Sequence, residues 1–177
     1  MNSSARKTGR PKPASAALRK LRDELAEFVR HEVQLLDERR YDEWASLFAA
    51  DGVYWVPAQL DQASPTTHVS LFYDDRATIQ TRVTRLRHPQ IHVQTPHSRT
   101  IHTVSNFRTP TRDRASGLTT IESNFLMLEY RPGWPQQLFG GRYRHTLRRT
   151  KGGYEIVMKR VDLVNCDGTF PALSVPF

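Results

Sequence analysis

Leu138-Phe139-Gly140-Gly141-Arg142-Tyr143-Arg144-His145-Thr146-Leu147-Arg148-Arg149 alternates residue by residue. Phe139, Gly141, Tyr143, His145 and Leu147 fall on one side of an extended chain, and Arg142, Arg144 and Arg148 on the other. A period of two sustained over residues 138–149 predicts a long strand with one buried face. Three more strands are expected around it, at 98–109, 118–131 and 154–166. The connectors are Pro110 to Gly117, Pro132-Gly133-Trp134-Pro135 and Lys151-Gly152-Gly153, all turn chemistry. Connectors this short make consecutive strands antiparallel neighbours. Strands this long curl, so the sheet should present a concave side.

The residues before this sheet change period. From 16 to 38, Leu18, Leu21, Leu25, Phe28, Val29, Val33 and Leu36 recur at steps of three and four, which predicts a helix. Glu32 is the one polar intruder beside that stripe, and Ser15 is placed to cap the start. A second, short helix is expected over 42–49, with Tyr41, Trp44, Leu47 and Phe48 on one side. Asp51-Gly52 reads as a turn, followed by a strand over 53–56 that Pro57 stops. A loop over 58–67 and a strand over 69–73 come next. Asp74 and Asp75 then open a third helix over 75–87, where carboxylates cap free amides and oppose the helix dipole. Ile79, Val83 and Leu86 are its inward residues. Residues 88–97, with two prolines and three histidines, read as an extended loop. Helices first and an antiparallel sheet after them is an α+β order, with three helices closing the concave face. The predicted organisation is a disordered basic arm over 1–15 and a single domain over 16–177.

The chain has 177 residues, 38% hydrophobic and 25% charged. A chain of this length buries roughly 70% of its unfolded surface and folds without staples. No apolar run approaches the ~20 residues of a membrane-spanning helix. Cys166 is the one cysteine, which excludes an intrachain disulfide and any cysteine-rich metal site built by this chain alone. The basic start has no apolar stretch behind it, so it does not read as a secretory signal. The cytoplasm is the expected compartment. Net charge is +8, and Arg6, Lys7, Arg10 and Lys12 of the arm contribute half of it. A basic arm on a mildly basic body argues against nucleic acid as the partner. The 21 arginines against 5 lysines suit bidentate ion pairs at interfaces.

Motifs of common chemistry are absent. There is no GxxxxGK[ST], no GxGxxG and no GxSxG. His31-Glu32 begins like HExxH, but Leu35 stands where the second ligand is needed. His88, His92, His97 and His102 cluster in sequence, yet Pro89 breaks the helical spacing two ligands would use. His102 differs, because it lies in a strand and shares a face with Thr100, Val104 and Asn106. The outward arginines of strand 138–149 suit carboxylates on a neighbouring strand or subunit, and no aromatic stacking platform accompanies them.

Five strings in register resemble the small (β) subunit of the aromatic-ring-hydroxylating dioxygenases. They are Leu36-Asp37-Glu38-Arg39-Arg40-Tyr41-Asp42-Glu43-Trp44, Asp51-Gly52-Val53-Tyr54-Trp55-Val56-Pro57, Tyr73-Asp74-Asp75-Arg76, Ser98-Arg99-Thr100-Ile101-His102-Thr103-Val104-Ser105-Asn106, and Gly141 to Arg149. The resemblance covers about 20–166. It implies the NTF2-like cone, in agreement with the α+β order. It also implies a non-catalytic role with no cofactor bound by this chain. The implied partners are a catalytic α subunit and other β subunits, usually three of each. The α subunit would carry a Rieske [2Fe-2S] cluster and a mononuclear Fe(II), fed from NADH through a reductase. No catalytic residue is transferred. Asp74, Asp75, Arg76, Arg99, Arg142, Arg144 and Arg148 are the residues expected in packing and subunit contacts. Leu163-Val164-Asn165-Cys166-Asp167 is most similar to the benzoate, toluate and anthranilate branch.

NTF2-like cones also house small-molecule isomerases, dehydratases and cyclases. Those enzymes move protons with a histidine and a carboxylate inside the cone. His102 with Asp51 or Tyr54 is the set this sequence offers for that alternative.

Overall fold

Ser15 accepts a hydrogen bond from the Leu18 amide and starts helix α1, Ala16–Asp37. The computed structural model describes residues 15–87, 95–170 and 173–177. The expected disordered arm therefore lies outside the described residues except at Ser15, as do His88 and His92 of the expected loop. Leu25, Val29, Val33 and Leu36 of α1 are buried, and so is Glu32. Helix α2, Tyr41–Ser46, follows and buries Tyr41, Trp44 and Ala45. Helix α3 is Arg76–Arg87, with Ile79, Val83 and Leu86 inward as predicted.

The strands are β1 (Phe48–Pro57), β2 (Ser70–Asp74), β3 (Arg99–Ser105), β4 (Thr111–Arg112), β5 (Thr119–Tyr130), β6 (Gln137–Thr150) and β7 (Gly153–Leu163). They form one sheet in the order β2-β1-β7-β6-β5-β3, with β4 beside β5. All pairs are antiparallel except β1 with β7. The result is the α+β cone expected from the sequence: a curved sheet whose inner face holds the core against three helices.

Several local expectations need correction, among them the strand over 154–166, which ends at Leu163. Helix α2 stops at Ser46, and the chain is already strand at Phe48, which pairs with Ile156. The Ile156 amide donates to the Leu47 carbonyl at 2.8 Å, so a ladder bond replaces the last helical turn. Asp51-Gly52 is consequently an irregularity inside β1 rather than a turn before it. A Cβ on Gly52 would stand 2.7 Å from the Ile156 carbonyl oxygen, so only glycine fits that approach. The strand predicted over 98–109 ends at Ser105, because Asn106 takes a left-handed backbone (φ 54°).

Candidate functional site

Strand alternation aims Tyr143 and His145 of β6 and Lys159 of β7 into the cone, where His145 and Lys159 are cross-strand partners. Tyr54 of β1 pairs in register with Lys159. Glu32 comes down on them from α1. Lys159 Nζ donates to Glu32 Oε1 at 2.6 Å and to the main-chain oxygen of Phe177 at 2.5 Å. Trp44 Nε1 donates to the same Glu32 oxygen. His145 Nε2 stands 3.6 Å from Glu32 Oε2, slightly long for a hydrogen bond. Glu32, His145 and Lys159 have no exposed surface.

Burial sets the electrostatics of this cluster. It acts to raise the Glu32 pKa, but the Lys159 charge and the His145 contact outweigh it and bring the carboxyl down to about 2. Burial lowers the His145 pKa and thereby favours the neutral ring. It also pushes the Tyr54 and Tyr143 hydroxyls up, keeping them protonated. A carboxylate and an ammonium that neutralise each other, with every side chain closed off from water, lock a helix to a sheet. Glu32, the intruder on the helical stripe, is where that lock begins. Lys159 gave no sequence signal beyond a charge at an inward strand position.

The three residues of the proton-transfer alternative are not brought together. Tyr54 lies in the core, and its hydroxyl accepts from the Phe177 amide at 3.0 Å. Asp51 is exposed and pairs with Arg148 at 2.7 Å. His102 is tied to Asp37, which ends α1. Asp37 Oδ1 accepts from His102 Nδ1 at 2.6 Å and from Thr100 Oγ1 at 2.8 Å, and Oδ2 accepts from the His102 amide at 2.9 Å. Burial acts to raise the Asp37 pKa, and the His102 hydrogen bonds overcome it and lower the value. The inward–outward phase of strand 98–109 could not show that Asp37 waits there, because the contact spans 65 residues.

The other named residues divide between pairing and exposure. Asp75 caps α3 through the Thr78 amide at 2.8 Å, and Asp74, at the end of β2, holds Arg82 at 2.7 Å. Arg76 keeps a buried guanidinium nitrogen with no partner among the described residues. Arg144 pairs with Glu122 on β5 at 2.9 Å, and Arg148 with Glu155 on β7 at 2.8 Å as well as with Asp51. Arg99 and Arg142 are exposed, with no ion pair among the described residues. Arg148 is no buried pair, since its side chain is 42% exposed. Arg148→Ala should therefore leave the urea-denaturation midpoint close to that of wild type.

Arg142 and Arg144 stand on the outer face of the sheet. They line a groove of about 650 Å³ with Arg160, Asp162, Leu126 and Leu163. Apolar residues share that face. Ile101 pairs with Leu128, and Leu128 with Leu138, in one row across three strands. Ile101, Leu126 and Leu138 are 62%, 54% and 66% exposed. Among the described residues no three His, Cys, Asp or Glu side chains stand together as a metal site. No described helix is long and apolar enough to cross a membrane.

The family model described as the ring hydroxylating beta subunit matches residues 31–167. The 2-halobenzoate 1,2-dioxygenase small subunit of Burkholderia cepacia is 32% identical over 143 residues, covering 78% of this chain and 85% of that protein. The benzene 1,2-dioxygenase subunit beta of Pseudomonas putida is 32% identical over 161 residues, 85% of this chain and 84% of its own. The crystal structure of the beta subunit of the benzoate 1,2-dioxygenase from Burkholderia mallei superposes with a TM-score of 0.70 at 24% identity, over 94% of this chain and 100% of that one.

Proposed function

Because the chain belongs to the ring-hydroxylating dioxygenase β-subunit family, we propose that it is the non-catalytic structural subunit of a terminal oxygenase that degrades an aromatic compound. Its partners are a catalytic α subunit and further copies of itself, in an α3β3 assembly. The α subunit holds the Rieske [2Fe-2S] cluster and the mononuclear Fe(II), which supply electron transfer and oxygen activation, with electrons from NADH through a reductase. The complex works in the cytoplasm, and its arene belongs with the benzoates.

One observation carries this reading: the outer sheet face combines exposed Ile101, Leu126 and Leu138 with Arg142, which has no ion pair among the described residues. An exposed apolar row rimmed by arginine is what a subunit contact needs, apolar area for affinity and a bidentate cation for register. Arg99, on the same side of β3, extends it. The chain's contribution to the reaction is then to position the α subunit, with no proton held or moved by its own residues.

Co-expression with the α subunit tests the reading. Leu126→Asp and Arg142→Glu should each reduce the yield of assembled oxygenase at least tenfold, the ~1.4 kcal/mol per decade that one buried mismatch exceeds. Circular dichroism of the isolated variants should match wild type, since both side chains are outside the core. Assembly at the wild-type level would remove this face from the interface. In the same system His102→Asn should leave turnover per iron within a few-fold. A loss of ~10²–10⁴-fold in intact complex is the signature of acid–base work and would restore the isomerase-type alternative.

A further inference from the structure

The groove on the outer sheet face is walled partly by residues outside the strands. Leu60, in the loop after β1, and Val164, just beyond β7, line it together with Leu126 of β5. These three are 65%, 75% and 54% exposed. The floor is open at Gly140, an outward position of β6, where a Cβ would stand 2.8 Å from Leu126 Cδ2. A glycine there leaves room for a side chain arriving from outside.

Three arginines stand at the groove, and two of them are engaged. Arg144 pairs with Glu122, and Arg160 lies over the Trp55 ring at 4.3 Å and pairs with Asp162 at 2.7 Å. Arg142 has no ion pair among the described residues, although Asp162 is its neighbour on β7. Asp61, the other carboxylate of the lining, makes no ion pair with it. A guanidinium held on a strand without a carboxylate of its own is a fork for one from outside. An apolar rim, an open floor and that cation together select an occupant with an apolar body and a carboxylate.

We propose that the groove receives an extended segment of the α subunit that lays an apolar side chain over Gly140 and, two residues away, a carboxylate on Arg142. Side chains two residues apart share one face of an extended chain and stand about 7 Å from each other, which suits a groove with an apolar part and a cationic part. The proposal rests on the subunit reading above and names the partner's chemistry at that face. Charge excludes the chain's own basic arm, whose Arg6, Lys7, Arg10 and Lys12 would meet Arg142 with like sign. A second copy is a poor source as well, because most exposed carboxylates of this chain are already engaged. Glu27, Asp42, Glu43 and Asp51 pair with arginines, and Asp75 caps α3.

Photo-crosslinking in the assembled oxygenase tests this. p-Benzoyl-L-phenylalanine is placed at Leu60 and, separately, at Val164, both on the exposed rim, and the chain is co-expressed with the α subunit. Irradiation should join this chain to one α peptide, with an Asp or Glu within two residues of the linked position by mass spectrometry. Changing that acid to its amide in α, or Arg142→Gln in this chain, should each lower the yield of assembled oxygenase at least about tenfold. The two changes together should cost no more than about twofold beyond either alone, since they break one contact. Gly140→Ala moves only the end of the Leu126 side chain, so it should fold, yet it fills the floor and should lower assembly at least about threefold. Adducts between two copies of this chain, an α peptide without an acid near the link, or independent losses from Arg142→Gln and the α amide overturn the proposal. So does a folded Gly140→Ala chain that assembles like wild type. An assembled oxygenase that gives no adduct from either position overturns it while leaving the subunit reading in place. A wild-type chain that fails to assemble with α overturns both.

Discussion

Lys159→Met should destabilise the folded chain by about 3–5 kcal/mol, the cost of leaving one charge of a buried pair behind. The stranded charge is Glu32, which has no exposed surface and keeps the Trp44 indole N–H and the longer His145 contact. Glu32→Gln on the same background removes that charge while retaining an acceptor for Trp44. The double variant should therefore recover more than half of the loss. The pH dependence has a definite sign. The Glu32 carboxyl sits below its ordinary 4.5, at about 2 in the fold. A depressed carboxyl contributes stability that is fully present above the ordinary value and is lost as pH falls through the folded one. In Lys159→Met burial, the largest influence on Glu32, raises the pKa and is opposed only by the His145 contact once the Lys159 charge is gone. The variant's deficit should then shrink between pH 7 and pH 4 as Glu32 takes up a proton. Urea midpoints at a series of pH values measure this. A single-variant cost under about 1 kcal/mol would mean that the pair does not hold α1 to the sheet.

Asp37→Ala should cost about 2–3 kcal/mol, because its carboxylate accepts three hydrogen bonds from β3, and bonds to a charged group are the strong ones. A carboxylate at a helix C-terminus opposes the dipole, so its place at the end of α1 is explained by what it grips. The effect should be local. Among the described residues β3 is the edge strand of the sheet, with β5 its strand neighbour, and loss of the Asp37 tether should speed hydrogen exchange at the His102 amide far more than at β6. The Asp37 pKa is also lowered, so this contribution is present above the ordinary 3.8 and is lost as pH falls below it. Exchange at the His102 amide unchanged by Asp37→Ala would show that β3 is held by β5 alone.

The two expected losses fall on residues that sequence reading placed in their elements but did not connect. The stripe of α1 was readable because apolar residues at three- and four-residue steps must share one side of a helix, whatever surrounds it. The strand over 138–149 was readable for the matching reason: an extended chain turns every second side chain the same way. Turn residues between the late strands made them antiparallel, and the order of elements then left few architectures. Those inferences need only neighbours in the chain. The Asp51-Gly52 reading failed at the first point where a distant residue mattered, since Ile156 claims the Leu47 carbonyl and draws the strand back to Phe48.

Charge partners are of that second kind. Lys159 is 127 residues from Glu32, and His102 is 65 from Asp37. Nothing in either local pattern distinguishes Glu32, buried and paired, from a glutamate tilted into water. Arg142, Arg144 and Arg148 occupy equivalent outward positions on one strand, yet Glu122 and Glu155 pair with the last two, while Asp162, opposite Arg142 on β7, is held by Arg160. Periodicity determined the elements, the face each presents and the class of the fold. The packing of β7 between β1 and β6, with α1 above it, decided which charges are buried together and which stand free, because ion pairing depends on distances of a few ångströms that the chain reaches only once it has folded.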